Sequence, residues 1–166
     1  MKELLLQYAR YNLWANKEIT DALRKLQPEQ VNRELVSSFP SLRTTVYHTW
    51  SAEYIWLQRL LLVEQPIWVQ GEFKGTFEQA CTEWQLVSQQ LVQFTERQYG
   101  DAAFEHVCLY HDRQKIAYKT PVVEILMHVF NHSTYHRGQL ITMLRQVGEQ
   151  VIPCTDFITF ARKKKG

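Results

Sequence analysis

The sequence predicts an all-α fold, a four-helix bundle with a short extended or hairpin connection between helices 3 and 4. Three observations predict it. Four long segments carry apolar residues at helical spacing. Recognisable start and stop residues bracket them. Between the last two lies a stretch of β-branched and aromatic residues around a polar centre. The 166 residues contain no internal repeat, low-complexity tract or linker, so the chain reads as one domain, 1–166.

The first helix is expected from about Lys2 to Leu26. Leu4, Tyr8, Asn12, Ala15, Ile19, Ala22 and Leu26 form its stripe, and Pro28 follows as a stop. The second is expected from about Ser41 to Val63, with start signals in Ser37-Ser38-Phe39-Pro40. The third runs from about Thr76 to Tyr99 with Phe77, Ala80, Trp84, Val87, Leu91 and Phe94 inward, and Gly100 ends it. The connection contains FEHVCLYHDRQKIAYKT, whose polar centre His111-Asp112-Arg113-Gln114 suits the tip of a hairpin or extended arm. The fourth begins at Pro121, with Thr120 as its N-cap, and continues to about Val147 before Gly148.

Composition narrows the function. Of 19 basic residues, Arg162, Lys163, Lys164 and Lys165 crowd the C-terminal ARKKKG; without these four, 15 basic residues face 17 acidic ones. A protein that grips phosphate backbones needs a basic face, so nucleic acid is not an expected partner and the tail reads as solvated. No run of about 18 apolar residues is present, so no membrane span is expected. The start lacks a signal-peptide pattern. Cys81, Cys108 and Cys154 are odd in number and form no CxxC, as in a reduced, cytoplasmic protein.

The informative stretch is HVFNHSTYHRGQL, with histidines at 128, 132 and 136. The inward stripe of the fourth helix is Ile125, Val129, His132, His136, Leu140, Met143 and Val147, so two imidazoles take places that apolar residues would fill. Residues four apart project from one face and can share one metal ion. Eight residues of helix rise about 12 Å, so His128 cannot easily join them and flanks the pair. The second helix offers one further histidine, His48, at the same heptad position as Ile55 and Leu62. Three neutral imidazoles from two helices would leave a divalent ion with open positions, a catalytic rather than a closed structural pattern. The plainer alternative is that each is a satisfied core histidine. Against it, two buried imidazoles without partners are costly.

Other chemistry is missing: no HExxH, Glu-x-x-His, GxGxxG, Walker A or GxSxG occurs. Cys81 reads as core filler. Asn12 and Asn16 sit mid-helix, where asparagine is unfavourable, so each is expected to have a polar partner, either supporting the site or bonding between helices. Glu53 reads as solvent-facing in preference to orienting a ligand. Arg137 reads as a salt-bridge or dimer residue, and His106 and His111 as surface residues.

YNLWAN (Tyr11 to Asn16), HTWSAEYIWLQR (His48 to Arg59) and NHSTYHRGQL (Asn131 to Leu140) resemble three segments of the DinB/YfiT-like family of small metal-binding helical bundles. The resemblance spans nearly the whole chain. It implies a divalent metal, zinc or nickel, on His48, His132 and His136, and a homodimer. It also implies, more weakly, a metal-dependent transferase that uses a low-molecular-weight thiol as co-substrate on a small-molecule substrate. A metal-dependent hydrolase and a non-catalytic metal-binding stress protein are the competing readings. Apart from the resemblance, Tyr47, Trp50, Tyr54 and Trp56 on the second helix are more rings than one core easily buries, which also suggests an interface.

Overall fold

A computed structural model describes residues 1–163. It is mostly helical with one small sheet, in the order α1 (Lys2–Leu23), α2 (Pro28–Asn32), α3 (Leu42–Leu60), α4 (Phe77–Arg97), β1 (Val107–His111), β2 (Ala117–Pro121), α5 (Val122–Gln146) and α6 (Phe157–Lys163). α1 and α3 each pack against both α4 and α5, so the four long helices form a closed ring. Inside it lie Ile19, Leu23, Leu42, Leu57, Trp84, Leu91, Ile125, Leu126 and Leu140, all buried. Each such side chain contributes about 1.5–3 kcal/mol of burial. No helix among the described residues is long and apolar enough to cross a membrane.

Local chemistry sets the helix ends. Ser41 Oγ accepts from the Thr44 amide while Thr44 Oγ1 accepts from the Ser41 amide, and Thr76 and Gln79 repeat the exchange at α4. These reciprocal caps satisfy amides that the first turn leaves free. α5 ends as the sequence indicates: Gly148 has φ +90°, a conformation glycine adopts without Cβ strain.

Four details differ from the sequence reading. Leu4 and Tyr8 face solvent and Leu5, Leu6 and Ala9 are buried in their place, because the stripe rotates at the start of α1. Pro28 does not simply end α1; it opens the short α2. α4 ends at Arg97, where Gln98 turns extended, before Gly100 is reached. Thr120 is not the cap of α5. It is paired with Cys108 in the antiparallel sheet, and the Val122 amide donates instead to the His106 carbonyl.

The connection is a hairpin. Val107 pairs with Pro121 and His111 with Ala117. Its tip is shaped by Asp112, whose Oδ1 accepts from the amides of Gln114 at 2.8 Å and Ile116 at 2.9 Å, a local turn that aspartate forms readily. α6 was not expected: Phe157 and Phe160 pack on Tyr11, and Arg162 and Lys163 are exposed at its end. The rest of the basic tail, Lys164 and Lys165, lies outside the described residues.

The aromatic surplus on α3 does not exist as exposed surface. Trp50 is buried, and Tyr47, Tyr54 and Trp56 are partly buried against the core, with Tyr47 and Trp50 edge-on to Phe73. Trp56 meets Tyr110 of the hairpin instead, with ring centroids 5.0 Å apart.

Candidate metal centre

His48 on α3 and His132 and His136 on α5 meet. The Nε2 of His132 lies 3.2 Å from that of His48 and 3.1 Å from that of His136. His136 is buried and the other two are half-buried. His128 is exposed; its ring lies tilted to that of His132 with centroids 5.7 Å apart, and it supplies no atom to the cluster. His106 and His111 are exposed, as read from sequence.

The outer nitrogens of two rings are held. His48 Nδ1 is 3.2 Å from Gln70 Oε1, and His136 Nδ1 is 2.7 Å from Gln139 Oε1. An amide oxygen only accepts, so each Nδ1 carries the hydrogen and each Nε2 presents a lone pair inward. Gln139 also donates to Ser38 Oγ at 2.9 Å. Phe39, from the same loop, stacks on His48 with ring centroids 4.2 Å apart.

Gln70 arrives by a pinned loop. The Gln58 side chain exchanges hydrogen bonds of 2.9 Å with the Ile67 backbone in both directions, and the Gln70 amide donates to Ser51 Oγ at 3.0 Å. The segment therefore runs back along α3 and ends beside His48. Gln70 and Phe39 carry no signal in the sequence, because irregular loops have no period. Gln139, three residues after His136, could have been read from helical spacing.

Protonation is disfavoured throughout. Burial holds His132 down to about 3, with the charges of His136, His48 and His128 adding to it. Burial also lowers His48, against the Gln70 hydrogen bond and with the Arg113 charge; it lowers His136 against the Gln139 bond. Each of the three histidines offers one ring nitrogen within 4.8 Å of the others, a neutral donor set that could hold a divalent metal ion. No carboxylate or thiol joins the cluster among the described residues.

Behind the histidines is a buried polar network. Glu53 is 1% exposed, which corrects the solvent-facing reading. Its Oε1 accepts from Asn12 Nδ2 at 2.9 Å, Asn16 Nδ2 at 2.7 Å and Ser133 Oγ at 2.7 Å, and its Oε2 from Ser88 Oγ at 2.7 Å. Arg137 is buried too, donating to Asn12 Oδ1 and Asn16 Oδ1; it is not at the surface and forms no ion pair among the described residues. The two asparagines do have the polar partners expected of them. Ser133 and Arg137 each follow one of the histidines, so the network ties their helix to the other three.

Cys81 is buried and its thiol is pushed up to about 12 by desolvation, which suits core filler and not a nucleophile. A cavity of about 680 Å³ between α3 and α4 is lined by Trp50 and Tyr54 among others and by none of the three histidines.

A ring of helices with inward-facing imidazoles from two of them defines a helical protein with a histidine cluster of metal-binding type. Residues 1–164 match the family model described as "DinB family", and the chain belongs to that family. It is 29% identical over 166 residues to Protein DinB of Bacillus subtilis (strain 168), covering 95% of this chain and 93% of that one. The crystal structure of a DinB-like protein from Bacillus cereus ATCC 10987 is similar in fold, with a TM-score of 0.71 over 92% of this chain and 95% of that chain at 20% identity.

Proposed function

We propose that the ring of long helices is a four-helix bundle that holds one divalent metal ion on His48, His132 and His136, and that the protein is a metal-dependent transferase acting through a small thiol. The convergence of the three Nε2 atoms, with two Nδ1 hydrogens committed to Gln70 and Gln139, carries this reading. A divalent ion there would favour thiolate over thiol at the positions the protein leaves open. The chain's own part is to keep three imidazoles neutral, orient them, and close one side with Phe39. A free thiol has a pKa of about 8.5 and needs little help to ionise. That suits a cluster joined by no carboxylate among the described residues, and it ranks thiol transfer above hydrolysis.

Assay of the metal-loaded protein with a panel of thiols and a model electrophile tests this. Thiol-dependent turnover that is lost in His48→Ala supports transfer. Turnover without thiol means a hydrolase, and no turnover across the panel leaves a metal-binding protein. The homodimer is carried forward on family likeness alone, since the α3 rings are covered. A solution mass of about twice 19.8 kDa supports it and a mass of 19.8 kDa refutes it.

A further inference from the structure

The cavity between α3 and α4 has walls of two kinds. α3 supplies Trp50 and Tyr54, four residues apart and so on one side of that helix. The segment between the helices supplies Phe73, whose ring stands at 88° to that of Trp50 with centroids 5.0 Å apart. Gly75 makes room for this corner of rings, because a Cβ there would run into the Phe73 ring. From α4 and its N-terminal cap region the facing wall takes Gln79, Glu83, Gln90 and Gln93, whose spacing returns to one face of a helix. One wall is aromatic and the other is a row of amides with a single carboxylate.

The lining has charge of one sign. Glu83 is its acid, and no lysine, arginine or histidine contributes to it. Glu83 is exposed and forms no ion pair among the described residues. Lys74, between Phe73 and Gly75 in the sequence, is exposed and is not part of the lining. Aromatic faces attract a cation through the ring quadrupole, and amide oxygens accept from an ammonium group. An anion would find no countercharge here. The volume of about 680 Å³ is that of a small-molecule site.

We propose that this cavity binds a small organic cation, an amine carried on an apolar body, with Glu83 as its counterion and the rings of Trp50, Tyr54 and Phe73 as its wall. Complementary charge selects this occupant: the cavity offers a carboxylate, amide oxygens and ring faces, and no cation of its own. The inference goes beyond the metal reading and does not rest on it, because the two sites share no residue. Glu83→Gln removes the charge from an exposed, unpaired side chain of nearly the same size, so the fold is kept.

The test compares phenethylamine with phenethyl alcohol, which match in shape and differ in charge, at constant pH and ionic strength. Binding is followed by the indole N–H resonance of Trp50, assigned from triple-resonance spectra of the intact protein. The proposal expects the amine to bind about tenfold more tightly than the alcohol. In Glu83→Gln the preference should shrink to about threefold or less, the part that the ring faces retain. Equal binding of the two probes, a preference that stays above about threefold in Glu83→Gln, or no movement of Trp50 at millimolar amine overturns it. Each of those results leaves the metal reading standing, since no histidine lines the cavity.

Discussion

Glu53 and Arg137 are each 1% exposed in one buried network, yet they do not touch: Asn12 and Asn16 stand between them. Each asparagine gives amide hydrogens to Glu53 and its oxygen to Arg137, at 2.6 to 2.9 Å. Removing one charge strands the other inside the protein, which costs about 3–5 kcal/mol. Glu53→Gln and Arg137→Met should each lower unfolding stability by that order in urea titrations. The double variant should lose less than the sum of the two, because the groups are coupled. Two losses that simply add would mean the charges do not compensate each other.

The glutamines behind the histidines should matter for metal and little for folding. Gln139→Leu and Gln70→Leu each remove the acceptor that fixes a ring's tautomer. Loss of such partners typically weakens metal affinity about 10–100-fold. Competition against a chromophoric chelator measures this, and unchanged affinity in both variants would refute the assigned orientation of the rings.

Acid should destabilise the metal-free protein. His48, His132 and His136 all lie below their ordinary value of 6.5 in the fold, chiefly through burial. The unfolded chain therefore binds protons near pH 6.5 that the native state refuses, and stability falls as pH falls. The contribution is fully present above about pH 6.5 and is lost progressively toward about pH 3, the value for His132. Bound metal steepens the loss, since protons also compete for the ligands. Melting curves between pH 7.5 and 5, with and without chelator, check this. The triple replacement of His48, His132 and His136 by leucine should flatten the curve and ignore the chelator.

Periodicity located the helices and the two stripe histidines because both follow from which side of a helix faces the core. His48 was legible for the same reason. Glu53 was misread because a helical wheel gives the face of a residue but not its neighbours. Four donors from three other helices make its burial tolerable, and none of them is near it in sequence. Arg137 failed in the same way. Gln70 and Phe39 lie in irregular segments fixed by contacts such as the Gln58–Ile67 exchange, which no local pattern encodes. α6 is too short for its period to register, and it is held by aromatic contacts with Tyr11.

Substitution separates the chosen histidines from their neighbour. His132→Ala should lose most of the bound metal because His132 Nε2 touches both partners, whereas His128→Ala should keep it. Elemental analysis of the two purified variants reads the difference directly. Equal losses would mean that helical spacing selected the wrong pair.

The most direct measurement is anomalous diffraction from crystals grown with zinc. The account predicts one strong peak per chain, about 2.0–2.1 Å from the Nε2 atoms of His48, His132 and His136. A peak on His128 or elsewhere, or no peak at saturating zinc, would contradict it and return the three histidines to the ordinary core.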